Sequence, residues 1–202
     1  MRTGPAVRAV LAAWSALLLA GCGSSGPTPQ EWTDATCTAV LPFVRTAVEG
    51  PGLAPGADAR QRALGDYLGR TTEALDRTLG DLDRLGPAPV DDGDVLAGNL
   101  AGGFGELRSA FSTAKGRVDA LDPADPAAVE RGLPGALEPV SRLGSVTGPL
   151  AHVTGNPDLA AAFRASPPCT DLTRLADATR ARPPDGVTGT GPNGSNNEGG
   201  GG

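Results

Sequence analysis

The chain is poor in the residues that most often carry catalysis or bind nucleic acid. Histidine occurs once, at His152, and aromatic residues make up only 3% of the sequence. One histidine leaves little material for acid–base catalysis or for a histidine-containing zinc site. Acidic residues outnumber basic ones by 23 to 17, which excludes the basic excess of a nucleic-acid-binding domain. We therefore predict a protein that is not an enzyme, binds no nucleic acid and uses no metal or other cofactor.

Long apolar runs are also missing. No run reaches the roughly 20 residues that a membrane-spanning helix needs. The 12 residues Ala9–Ala20 are mostly apolar and follow two basic residues, Arg2 and Arg8. A short basic segment before an apolar stretch of this length is typical of an export signal, so residues 1–21 are predicted to be a signal peptide.

The end of this signal carries a specific motif. Leu19-Ala20-Gly21-Cys22 resembles the lipobox of bacterial lipoproteins. The resemblance implies cleavage before Cys22, lipidation of its thiol, and a protein held on the outer face of the cytoplasmic membrane, because two acyl chains give stable anchoring. Residues 22–29 would form a flexible tether. The alternative is an ordinary secretory signal that is cut nearby, with no lipid on Cys22.

Basic residues consist of 16 Arg and one Lys, and Ala and Gly are abundant. This usage is typical of a GC-rich genome. Together with the lipobox it indicates a high-GC Gram-positive source.

If Cys22 is lipidated, two cysteines are left. In an oxidising compartment outside the cytoplasm, Cys37 and Cys169 are expected to form a disulfide bond. The alternative is two separate buried thiols. Neither cysteine lies in a Cys-x-x-Cys motif or beside a histidine, so the sequence predicts a structural role for both.

The remaining chain divides into a helical domain and a tail. The tail, residues 182–202, contains eight Gly and three Pro and almost nothing apolar, so it is predicted to be disordered. The domain is predicted to span residues 30–181. A capping box, Thr28-Pro29-Gln30-Glu31, is predicted at its start and opens a helix through Val48. A second helix is predicted from Asp58 to about Leu85, where Gly86 and Pro87 stop it.

The third helix has the strongest pattern. It starts in the Asp91–Asp94 cluster, and eight apolar residues follow at alternating spacings of three and four: Ala97, Leu100, Phe104, Leu107, Phe111, Ala114, Val118 and Leu121. A fourth segment runs from Pro126 to Val153, with breaks or kinks expected at its prolines. Asn156-Pro157-Asp158 opens a short helix, and a last helix carries Cys169. The fold class predicted is all-α: an up-and-down four-helix bundle with an extra short C-terminal helix and one disulfide bond.

Two groups of polar side chains are candidates for chemistry. His152 has no Ser or Cys partner in a recognisable motif, so a surface histidine is favoured over a catalytic one. Asp91, Asp92 and Asp94 offer oxygen ligands for a cation, but the spacing of a calcium loop is absent. Capping of a helix N-terminus is the favoured interpretation of this cluster.

Glycines crowd the start of the third helix, at Gly98, Gly102, Gly103 and Gly105. Each costs about 1 kcal/mol relative to Ala in a helix interior. They indicate close backbone approach, local flexibility or a gap in the core. In the last case Phe104 and Phe111 would line an apolar ligand cavity, since helix bundles commonly hold ligands between their helices.

Three functions therefore stay open. The favoured one is a lipid-anchored, extracytoplasmic protein with a non-enzymatic binding or envelope-accessory role. The second is a carrier or sensor of a small apolar ligand or lipid, and the third is an enzyme built around His152. The mature domain resembles small secreted helical lipoproteins with an N-terminal and a C-terminal cysteine, and that resemblance implies no activity.

Overall fold

The structure is a computed structural model that describes residues 26–52, 54–143 and 147–181. The predicted signal peptide, Cys22 and the tail 182–202 lie outside the described residues. Within the described ranges the chain forms only helices and turns, so the all-α fold class is confirmed. None of the helices in these ranges combines the length and the apolar character that crossing a membrane requires.

The helices follow the sequence pattern closely along the first two thirds of the domain. The described residues form α1 (Pro29–Glu49), α2 (Ala57–Leu85), α3 (Gly93–Asp119), α4 (Pro126–Ser141), a 3₁₀ turn (Gly148–Leu150), α5 (Ala151–Thr154), α6 (Pro157–Ala165) and α7 (Pro167–Ala181). Six of the eight apolar positions predicted for the third helix are buried, from Leu100 to Val118. The predicted first, second and third helices are confirmed.

At two of the predicted helix starts, the N-cap side chain accepts hydrogen bonds from backbone amides of the first turn. The Thr28 hydroxyl accepts a hydrogen bond from the Glu31 amide at 3.2 Å, and the Thr28 amide donates to the Glu31 carboxylate at 2.8 Å. At α6, the side-chain oxygen of Asn156 accepts from the amides of Asp158 and Leu159. Each cap satisfies amide groups that have no partner inside the helix, as the sequence predicted.

The fourth segment is interrupted, as its prolines predict. Pro134 and Pro139 lie inside α4, which ends at Ser141, and a 3₁₀ turn with Pro149 near its start then leads into α5. One local expectation needs correction. The Asp91–Asp94 cluster does not cap α3 through the N-cap side chain. Asp92 at the N-cap has a left-handed backbone (φ 55°), and its side chain makes no capping hydrogen bond.

Side-chain hydrogen bonds define the register of α1 and α2. The Tyr67 hydroxyl donates to the Ala47 carbonyl at 3.0 Å, the Thr78 hydroxyl to the Ala39 carbonyl at 2.9 Å, and the Trp32 indole to the Gly86 carbonyl at 3.2 Å. Residues with higher numbers in and just after α2 bond residues with lower numbers in α1, so the two helices are antiparallel. Burial raises the pKa of Tyr67.

The same relation holds for the next two pairs of neighbours. Gln61 donates to Val118, and Arg108 pairs with Asp76 at 2.8 Å, so α2 and α3 are antiparallel. Between α3 and α4, Arg117 donates to the Gly135 carbonyl at 3.2 Å, and Leu121 lies against Gly132, so these helices are antiparallel as well. Pro139 has no N–H to offer that carbonyl, so Arg117 replaces the missing helical bond.

The core lies where α1, α2 and α3 face one another. Phe43 of α1 packs edge-on against Phe104 and Phe111 of α3, with ring centroids 6.0 and 6.5 Å apart, and Tyr67 of α2 contacts Phe111. The later helices cover this core from outside: α6 and α7 pack on α1, and the 3₁₀ turn and α5 pack on α3.

Candidate functional site

The two rings predicted to line a ligand cavity lie in the packed interior. Phe104 is 0% exposed and Phe111 is 2% exposed. Both make edge-to-face contacts with Phe43, the preferred arrangement for aromatic pairs. This packing favours close helix contact over a gap at these rings.

The glycines beside these rings divide into two kinds. A Cβ atom on Gly103 would lie 2.9 Å from Cγ of Pro149, so this glycine lets the 3₁₀ turn approach α3 closely. At Gly98, Gly102 and Gly105 a Cβ atom would meet nothing within 4 Å. The predicted close approach therefore exists at one of the four positions.

Cys37 and Cys169 form the expected disulfide bond. It joins α1 to α7, and both residues are completely buried. The Sγ atom of Cys169 also lies 3.8 Å from the Thr33 carbonyl oxygen on α1. A bond that solvent does not reach is protected from exchange with thiols, which fits a structural role.

The candidates for acid–base and metal chemistry are dispersed. His152 is exposed on the four-residue helix α5. Asp91, Asp92 and Asp94 lie around the start of α3. Across the described ranges, no three side chains of His, Cys, Asp or Glu come together in a group that could hold a metal ion.

The described part of the molecule has an open apolar groove between the α1–α2 connection, α2 and α4. Its volume is about 540 Å³, within the range of small-molecule sites. We call it the α2–α4 groove. It is lined by Pro51, Gly52, Ala54, Pro55, Arg60, Leu64, Leu133 and Leu137. It lies at the end of α1 opposite Thr28, about 30 Å along that helix.

The groove has one charged lining residue, Arg60. Arg60 forms an ion pair with Glu130 of α4, and the two side chains are 49% and 48% exposed. An ion pair exposed to this extent contributes about 0–1 kcal/mol, so its partners exchange readily. The pair joins the two helical walls of the groove at its rim.

The α4 wall is the least regular helix around the groove. Pro134 and Pro139 lie inside it, and each removes one helical hydrogen bond. At Gly132 a Cβ atom would lie 2.5 Å from Cδ2 of Leu121, so α4 meets the end of α3 closely there. Leu133 and Leu137, which follow, are only partly buried against the core.

Sequence reasoning missed this groove and also missed Gln61. Gln61 is 8% exposed, and its amide nitrogen donates to the Val118 and Leu121 carbonyls, both at 2.9 Å. The Val118 carbonyl lies in the last turn of α3, where it also accepts the Leu121 amide at 3.2 Å, and Leu121 follows the end of that helix. A single glutamine in a helical pattern gives no local signal of such a role.

Comparisons with protein-family models, with curated proteins and with solved structures find no match to this chain. Evidence on function therefore comes from the residues and their geometry.

Proposed function

We propose that this chain is a bacterial lipoprotein, anchored by a lipid on Cys22 outside the cytoplasmic membrane, whose helical domain works by binding. The disulfide carries the proposal. It uses the two cysteines that lipidation of Cys22 would leave, and such bonds persist in oxidising compartments. The first helix begins at Pro29, so the tether to the lipid would be short.

The positions of the apolar groove and of His152 support a binding role. The apolar groove is open and lies far along α1 from the tether, whereas His152 lies on a short surface helix. We also propose that α1 to α4 form an up-and-down four-helix bundle that the later helices cover. The antiparallel registers of the successive pairs support this arrangement.

The anchor is tested by a Cys22→Ala substitution in a high-GC Gram-positive host. We expect the wild type to incorporate labelled palmitate and to fractionate with membranes, and the variant to lose the label and appear in the medium or as an uncleaved precursor. Ser24→Ala is the matched control, because it changes a small residue near Cys22 without touching the lipobox or the disulfide. A Cys22→Ala protein that is still processed and membrane-bound would refute the anchor.

A second candidate function is a carrier or sensor of a small apolar ligand. The α2–α4 groove is the observation that favours it. Native mass spectrometry of protein isolated from its host tests it: a reproducible non-covalent adduct that disappears on denaturation supports the carrier. A bare mass, apart from acyl groups, counts against it.

A further inference from the structure

We propose that the α2–α4 groove binds a single acyl chain with an acid head group, and that Arg60 holds the head. This inference rests on the proposed binding function and specifies its site and ligand class. Lipidation of Cys22 is not required for it, so the two proposals are tested separately.

The walls of the groove suit an alkyl chain. Leu64 of α2 is 9% exposed, and Leu133 and Leu137 of α4 are partly buried, with the rest of their surface facing outward from the core. Leu133 and Leu137 are one helical turn apart and lie on the same face of α4. A chain laid along this face would remove apolar surface of α4 from water, which drives binding, while Leu64 on the α2 side is already largely buried.

The charge at the rim selects the head group. Arg60 is the one charged residue that lines the groove, and it carries a planar guanidinium that matches carboxylate and phosphate oxygens. Its present partner, Glu130, is about half exposed and weakly held. An acid head group would take the place of Glu130, while a neutral head group would gain nothing from Arg60.

The α4 wall can adjust to a ligand. Pro134 and Pro139 reduce the number of hydrogen bonds that hold this helix straight. The ion pair of Arg60 with Glu130 is one of the contacts between α2 and α4, and it lies at the rim of the groove. A head group that replaces Glu130 would release this link and let the groove widen around the chain.

The test uses the full chain from residue 22 with Cys22→Ser, so that no attached lipid competes. The probe is cis-parinaric acid, a fluorescent fatty acid whose emission rises in an apolar site. Dodecanoate, dodecyl phosphate and dodecanol are then compared as displacing ligands. We expect the two acids to displace the probe and dodecanol to bind more weakly, and the ratio of dodecanoate to dodecyl phosphate distinguishes a carboxylate from a phosphate head.

Three variants and two controls locate the site. Arg60→Gln should weaken dodecanoate about tenfold and leave dodecanol unchanged, because it removes a charge-assisted hydrogen bond. Arg62→Gln is the matched control, since Arg62 is also exposed and paired with an acid, Asp58. Glu130→Gln should tighten dodecanoate about threefold by removing the competitor for Arg60. Leu137→Asn should weaken every ligand about tenfold, with Leu79→Asn as its control.

Several results would overturn the inference. The first is that the probe does not bind at all. The second is that Arg60→Gln and Arg62→Gln change the affinity for dodecanoate equally, and the third is that Leu137→Asn leaves ligand binding intact. A dimer in analytical ultracentrifugation that Leu137→Asn dissociates would instead make the groove an interface between two copies. Thermal melting checks the fold of each variant, and Leu133→Asn replaces Leu137→Asn if the latter unfolds. A wild-type protein that incorporates no palmitate but still binds the probe would refute the anchor alone.

Discussion

The Cα atom of Cys37 lies 5.1 Å from that of Cys169, although 132 positions separate them along the chain. The bond between them ties the first helix of the domain to the last. It therefore closes almost the whole folded chain into one covalent loop, and both of its ends are buried against the same core.

Removing this bond is expected to destabilise the protein strongly. On the chain-entropy model a loop of this length contributes about 5 kcal/mol, and losses of about 2–5 kcal/mol are typical for native disulfides. The double substitution Cys37→Ala and Cys169→Ala should lower the free energy of unfolding accordingly, measured by urea titration. Reduced wild type should match the variant, and unchanged stability in both would show that the bond contributes nothing.

Two neighbouring glycines in α3 should respond to alanine differently. Gly102→Ala places a methyl group in open space and should stabilise the protein by about 0.5–1 kcal/mol, the propensity difference. Gly103→Ala should be less stable than Gly102→Ala by about 1–3 kcal/mol, because its Cβ meets Pro149. Melting temperatures measure both. Equal shifts would mean that the 3₁₀ turn does not press on α3.

Gln61 is expected to hold the end of α3 through its side chain. Gln61→Ala leaves the Val118 and Leu121 carbonyls without this donor, so the free energy of unfolding should fall by about 1–3 kcal/mol. Gln30→Ala is the control, since the Gln30 amide bonds Asp34 within one helix and outside the core. Similar losses for the two variants, in chemical denaturation, would contradict the role of Gln61.

The cap of α1 predicts a pH dependence. Hydrogen bonds from the Thr28 amide and hydroxyl lower the pKa of Glu31 below its usual 4.5. Because the native pKa is the lower one, this stabilisation is present above pH 4.5 and is lost as the pH falls through the native value. Glu31→Gln should flatten the melting temperature between about pH 3 and 6 relative to wild type. Glu106→Gln, an exposed carboxylate in the middle of α3, should leave the wild-type slope unchanged.

The Thr28 cap itself can be removed separately. Thr28→Ala should cost about 0.5–2 kcal/mol at neutral pH, the usual range for an N-cap. It should also reduce the pH dependence, because Glu31 loses the hydroxyl donor and keeps the Thr28 amide. A variant with wild-type stability at pH 7 would show that the cap is replaced by water.

Local signals in the sequence were sufficient for α1, α2 and α3 and for the caps of α1 and α6. The Thr28 capping box, the Asn156 cap and the Gly86 stop act within one helical turn, so the residues that form them are neighbours in the sequence. The apolar spacing from Leu100 to Val118 likewise follows from helix geometry alone. The pairing of Cys37 with Cys169 was predictable for another reason, the number of cysteines left by the predicted lipobox and the oxidising compartment that the predicted export signal implies.

Features that depend on two distant segments appeared only in the tertiary structure. Nothing in the sequence distinguishes Gly102 from its neighbour Gly103. They differ in the space that a Cβ atom would have, because Pro149 lies against Gly103. Gln61 donates a hydrogen bond to Val118 of α3, which is 57 positions away, and Arg60 pairs with Glu130, which is 70 positions away. The sequence by itself determined which residues form helices, because helix formation is local. Only packing decided which helix faces meet and where an apolar face stays uncovered, because burial depends on what the rest of the chain leaves exposed.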